Sequence, residues 1–108
     1  LIMKKKLINF NYCILALFIL FFQSTRADDL FEKGKEIFLY DGNCATCHTL
    51  QNANSNGYIG PNLDEVKPDI MRVIYAVTNG IGGMPAYEGI LSVEEIEAVA
   101  TYVSESTN

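Results

Sequence analysis

Cys44-Ala45-Thr46-Cys47-His48 decides the reading of this 108-residue chain. Two thiols three positions apart with a histidine directly after them form the attachment signature of c-type haem. Each thiol can add across one haem vinyl group to make a thioether, and the adjacent imidazole is then held under the porphyrin as the proximal iron ligand. The same Cys-x-x-Cys spacing also serves redox dithiols and halves of zinc sites. Zinc needs four ligands, yet His48 is the chain's one histidine and the third cysteine, Cys13, lies far upstream. A thioredoxin-like dithiol follows a strand in a βαβ pattern, whereas the residues before Cys44 read as a helix and a short turn.

Upstream, Lys4, Lys5 and Lys6 precede an apolar run from Tyr12 to Phe22, and Thr25-Arg26-Ala27 then precedes two acids. This is the plan of a secretory signal, with Ala27 as the expected last residue before cleavage. A membrane span needs roughly 20 apolar residues, and this run is shorter, with Asn9 and Asn11 before it. Cys13 follows Phe10-Asn11-Tyr12, which lacks the small residues of a lipoprotein site, so it reads as an ordinary apolar residue of the signal. The expected organisation is a signal over residues 1–27 and one domain over 28–108, exported across the inner membrane to the periplasm. Lys4, Lys5, Lys6 and Arg26 leave with the signal while all 13 acids stay, which moves the formal charge from −5 to −9. Such a surface argues against nucleic acid and anionic membrane and for partners with basic patches.

The remaining domain reads as all-α. Asp28 or Asp29 can cap a helix through Leu30, Phe31, Gly34, Ile37 and Phe38 that ends near Asp41-Gly42. Gly34 costs this helix roughly 1 kcal/mol against alanine, and close approach of another helix is the usual compensation. Ser92-Val93-Glu94-Glu95 is a capping box opening a helix with Ile96, Val99, Ala100 and Val103 on one face and Tyr102 beside them. A further helix is expected to begin at Pro68, to turn Ile70, Val73, Ile74 and Val77 inward and to stop at Asn79-Gly80. No segment reads as a strand. Loops are expected from Asn52 to Pro61 and from Gly80 to Pro85.

Haem iron bound by His48 needs a sixth ligand or an open site. Met3 leaves with the signal and Met71 lies inside a helix, where it is expected to fill a core gap. Met84 stands in the glycine-rich loop Gly80-Ile81-Gly82-Gly83-Met84-Pro85, whose glycines let backbone approach the ring, and is the favoured axial ligand.

Gly34 and Phe38 before the Cys44–His48 motif, then Gly60-Pro61-Asn62-Leu63, Met84-Pro85-Ala86-Tyr87, and Val99 with Tyr102 together resemble class I c-type cytochromes, small bacterial monohaem electron carriers. The resemblance covers essentially all of residues 28–108. It implies a small cytochrome c fold whose terminal helices cross near Gly34 and Tyr102 around one covalent haem c. It also implies that the Pro61 carbonyl meets the second imidazole nitrogen of His48. The stretch from Gly80 to Tyr87 with Leu91 to Glu95 is similar to haem subunits of periplasmic dehydrogenases, including sulfite dehydrogenase. Only Lys33, Lys35 and Lys67 remain among the lysines, so the lysine ring of mitochondrial relatives is not expected here.

The resemblance implies a one-electron carrier rather than an enzyme. His48 and Met84 would fill both axial positions, and electrons would pass from a dehydrogenase or quinol-oxidising complex to a terminal acceptor. A permanent haem subunit of a periplasmic oxidoreductase is the alternative, and a sensor or peroxidase would need Met84 to leave the iron. Docking is expected through Ala45, Ile81, Pro85 and Ala86, with surrounding acids steering a basic partner.

A domain this small has a marginal core and, once processed, no spare cysteine pair to staple it. Replacing both Cys44 and Cys47 by alanine is therefore expected to leave a largely disordered chain. Circular dichroism during thermal melting checks this, and a cooperative native-like transition would contradict it.

Overall fold

The computed structural model describes residues 12–17 and 25–108. Lys4, Lys5, Lys6 and positions 18–24 of the expected signal lie outside those residues, while 12–17 are helical. Among the described residues, no helix is long and apolar enough to cross a membrane.

Helix α1 spans Thr25–Glu36, so the expected Ala27–Asp28 junction falls in its first turn. It does not continue as an α-helix to Asp41. Ile37–Asp41 forms a wider π-helical turn, closed by the Gly42 amide donating to the Ile37 carbonyl at 2.7 Å. Such turns are often found at functional sites, and this one buries Ile37 and Phe38 together before delivering the chain to Cys44.

The expected loop after the cysteine motif is more ordered than its composition suggested. Two-residue strands β1 (Thr49–Leu50) and β2 (Ser55–Asn56) pair antiparallel, with Leu50 opposite Ser55. Gln51–Ala53 makes one 3₁₀ turn, and Asn54, at φ 50°, reverses the chain between the strands. Strands this short cannot show the alternation by which a sequence announces them. Leu50 is fully buried, and the Ser55 hydroxyl bonds both its amide and its carbonyl, at 3.1 and 3.3 Å.

The short helix α2 (Leu63–Val66) is capped by Asn62, whose side chain accepts from the Asp64 amide at 3.0 Å. Helix α3 covers Ile70–Asn79 and not the expected start at Pro68, because the Asp69 carboxylate takes the cap by accepting from the Arg72 amide at 2.8 Å. Pro68 is instead a buried residue just outside the helix. Val73 and Val77 face the core as expected, Ile74 packs against its edge, and Ile70 stays outside the core with 39% of its surface exposed. Met71 is 71% exposed and fills no core gap. It stands three positions from Ile74 but on the outward side of the stripe defined by Val73 and Val77.

Helix α4 (Val93–Thr107) opens with the predicted capping box: the Glu95 amide donates to the Ser92 hydroxyl at 3.1 Å and the Ser92 amide to the Glu95 carboxylate at 3.0 Å. Those bonds from Ser92 favour the ionised form and hold the Glu95 carboxyl below its ordinary value. Ile96, Val99, Ala100 and Val103 form the expected buried face, joined by Ala98 and Tyr102.

The terminal helices α1 and α4 cross at Gly34. A β-carbon there would lie 2.6 Å from Cβ of Tyr102 and closer still to the Ala98 carbonyl oxygen, so only hydrogen fits. The Tyr102 ring fills the angle between the helices, with its centroid 5.0 Å from that of Phe31 and 5.7 Å from that of Phe38. Its hydroxyl donates to Asn52 at 2.8 Å, and burial pushes the phenol up to about 12. Among the described residues every buried side-chain nitrogen and oxygen has a hydrogen-bond partner.

Gly34→Ala should cost roughly 1–3 kcal/mol, as an overpacked contact outweighs the better helix propensity of alanine. Denaturant unfolding of the haem-loaded protein measures the loss, and an unchanged midpoint would contradict the close crossing.

Candidate functional site

The cysteine motif is shaped by its own backbone. Asn43 adopts the left-handed region at φ 50°, which asparagine tolerates better than most residues. It thereby launches the 3₁₀ turn Cys44–Thr46. The Thr46 hydroxyl donates to the Asn43 side chain at 2.7 Å, and the Cys47 and His48 amides donate to the Cys44 carbonyl at 3.1 and 2.9 Å. In a turn of three residues, positions i and i+3 eclipse, so Cys44 and Cys47 come to one side. Both thiols are unpaired and half-buried. Burial pushes the Cys44 thiol up to about 11, so it is held as the neutral thiol near neutral pH.

The segment after β2 backs this turn without a gap. The Gly60 amide donates to the Cys47 carbonyl at 2.7 Å, and the Thr49 hydroxyl to the Gly57 carbonyl at 2.8 Å. A β-carbon on Gly57 would meet the Cys47 carbonyl carbon at 2.5 Å and the His48 nitrogen at 2.6 Å. One on Gly60 would meet the imidazole Cε1 at 2.6 Å and Nδ1 at 2.9 Å. His48 thus lies flat against a backbone that has no side chain to move it.

His48 Nδ1 is 2.7 Å from the Pro61 carbonyl oxygen. A carbonyl only accepts, so Nδ1 carries the proton and Nε2 presents its lone pair, the tautomer a metal ligand requires. This bond sets the ring's direction and fixes its tautomer.

Cys44, Cys47, His48, Pro61 and Met84 all line one apolar cavity of about 500 Å³. Phe38, Leu63, Val73, Val77, Val99 and Val103 are among its other wall residues, drawn from the π-helical turn, α2, α3 and α4. The volume lies in the range of a cofactor pocket. Two thiols, an imidazole with a free Nε2 and a thioether around one apolar space fit a covalently attached haem. Among the described residues, no three histidine, cysteine or carboxylate side chains cluster as a site of protein ligands alone would require.

This fold and site define a small class I c-type cytochrome. The chain belongs to the cytochrome c family: the family described as "Cytochrome C oxidase, cbb3-type, subunit III" matches residues 29–103. Among curated proteins, cytochrome c6 of Pyropia yezoensis is 35% identical, with 94% of this chain and 93% of that protein covered. Cytochrome c6 of Gracilaria tenuistipitata var. liui is 40% identical over 75% of this chain and 76% of that protein. Among solved structures, the c-type cytochrome SorU from Sinorhizobium meliloti is 58% identical, covers 74% of this chain and 93% of its own, and superposes with a TM-score of 0.71. The protein is accordingly a small electron carrier with one covalently bound haem c, and Cys44, Cys47 and His48 form its haem-binding motif.

The five site residues named from sequence are brought to one cavity. Of the expected docking residues, Ile81, Pro85 and Ala86 are exposed while Ala45 is half-buried against the core. Sequence reasoning did not assign a role to the Tyr87 hydroxyl, which donates to the Gly42 carbonyl at 2.6 Å, or to Gly60 as the seat of the imidazole. The tyrosine carried no advance signal, since its partner is 45 residues away in sequence. Gly60 stood next to Pro61, and that adjacency is the one clue the sequence offered.

Gly60→Ala should tilt the imidazole and lengthen the bond to Pro61. The expected readout is altered paramagnetic shifts of the His48 ring and a changed midpoint potential in the haem-loaded protein. Retention of both wild-type values would show that the close seat is not what orients the ring.

Proposed function

We propose that this cytochrome is a periplasmic one-electron carrier in which His48 Nε2 and the Met84 sulfur would be the chain's two ligands to the haem iron. The observation that carries the reading is the placement of His48 and Met84 on the walls of the same cavity as the thiols of Cys44 and Cys47. When bound, haem supplies a Fe(III)/Fe(II) couple, and thioether ligation favours its reduced form. With His48 and Met84 both supplied by the chain, the iron would offer no position to a substrate, which separates a carrier from a peroxidase or gas sensor.

The chain's residues do the rest. Cys44 and Cys47 would hold the macrocycle by two thioethers, His48 is aimed by Pro61, and the valines of α3 and α4 would exclude water from the ring. Low polarity around the iron disfavours the extra charge of the oxidised state and so reinforces the preference set by sulfur.

Export rests on the basic, apolar and small-residue order of residues 1–27, with cleavage after Ala27 and the carrier domain over 28–108. Partners are proteins with basic docking patches, steered by the acidic surface and seated on the exposed Ile81, Pro85 and Ala86. Contacts of this class are small and short-lived. The donor is a dehydrogenase or quinol-oxidising complex and the recipient a terminal acceptor.

The reading is tested on matured protein by redox-titrated absorption. Wild type should show the methionine-to-iron charge-transfer band at the red end of the oxidised spectrum, and Met84→Ala should abolish it and lower the midpoint potential. A band that survives the substitution would remove Met84 from the iron. Size exclusion of native material, with the chain migrating alone rather than with a catalytic partner, separates a free carrier from a permanent subunit.

A further inference from the structure

The loop that carries Met84 is tied to the rest of the protein unevenly. Gly80 and Gly82 hold positive φ values of 73° and 56°, and Gly82 and Gly83 have nothing packed within 4 Å of where a β-carbon would stand. Within the loop, Ile81 and Met84 bond each other, the Met84 amide to the Ile81 carbonyl at 2.9 Å and the Ile81 amide to the Met84 carbonyl at 3.2 Å. Three further backbone bonds lead to α3, Gly80 to Ala76 at 2.8 Å, Tyr87 to Val77 at 2.8 Å and Glu88 to Thr78 at 3.4 Å, and the Tyr87 carbonyl accepts from the Ile90 and Leu91 amides, both at 2.9 Å. None of these bonds reaches the wall formed by Gly42 to His48.

One hydrogen bond among the described residues crosses from this loop to the wall that carries the thiols. The Tyr87 hydroxyl donates to the Gly42 carbonyl at 2.6 Å, two residues before Cys44. Its acceptor is rigid. Gly42 is buried, its own amide closes the π-helical turn on Ile37, and a β-carbon on it would lie 3.1 Å from the Cys44 sulfur. Tyr87 itself lines the cavity and is held at its backbone by Val77, so ring and hydroxyl span the gap as a strut between two fixed points.

We infer that Tyr87 is the positioning residue for the Met84 ligand, its hydroxyl latching the methionine loop to the Gly42–Cys44 wall so that the sulfur is kept at the iron. The inference rests on the Met84 reading above. Phenylalanine at this position would preserve the ring and its packing while deleting the latch, leaving the glycine-rich loop free to swing on α3. The barrier to losing the sulfur then falls on apolar contacts alone.

The test uses oxidised, haem-loaded protein and imidazole as a competing iron ligand, followed by loss of the methionine-to-iron band. Tyr87→Phe should raise the apparent imidazole affinity about fivefold, equivalent to ~1 kcal/mol for one net hydrogen bond. Tyr102→Phe is the comparison, because it deletes a bond of similar length to Asn52 at the helix crossing. It should lower the unfolding midpoint and leave imidazole affinity at the wild-type value. Equal affinity in Tyr87→Phe and wild type would overturn the latch, as would an equal rise in both variants, which would mark a general loss of stability. Absence of the band in wild type would instead overturn the Met84 reading itself, before either variant is compared.

Discussion

A macrocycle tethered at two thiols and ligated from the next residue is held on one side only, and everything else in this fold serves to close the other side. Residues 44 to 48 form a single tight turn, so the thiols and the imidazole reach the cofactor from one short piece of backbone. No residue near them in sequence can approach from the opposite face. That wall has to come from a distant segment, here the loop after α3. The cavity between the two is lined by side chains from the π-helical turn, the cysteine turn, α2, α3, α4 and the loop after α3.

This explains where the structure is tight and where it is open. Backbone contact closes to the limit at four glycines, Gly34, Gly57, Gly60 and Gly80, each of which would place a β-carbon inside another residue. The first lets the terminal helices meet, the next two seat the cysteine turn and the imidazole, and Gly80 lets the base of the Met84 loop close on the Met84 carbonyl. At Gly82 and Gly83 there is open space, at the tip of the loop that carries Met84. Close backbone packing therefore concentrates under the cysteine turn and His48, while the tip of the Met84 loop stands open.

In the proposed carrier role the acidic surface and the apolar mouth would divide two tasks. Charge spread over α1, α2 and α4 acts at long range and screens with salt. The exposed Ile81, Pro85 and Ala86, in and just after the loop that carries Met84, would act at contact. Such a division suits brief encounters, since steering raises the rate of meeting without adding much to the lifetime of the complex.

Much of this protein was legible in its residues. The cysteine motif, the capping box at Ser92, the buried stripe of α4, Gly34 as a crossing point and Met84 in its glycine loop are local patterns, each dictated by bond geometry or helical period. The tertiary structure decided what depends on residues far apart in the chain. It placed Pro68 in the core rather than in a helix, turned Met71 to solvent, replaced the end of α1 by a π-helical turn and built a two-residue ladder too short to show any period. It also gave Tyr87 a partner 45 residues away. Local periodicity reports which face of an element is apolar, but the partner of a single hydroxyl, or the seat of one imidazole, is set by how the elements pack, and that is written in no single stretch of sequence.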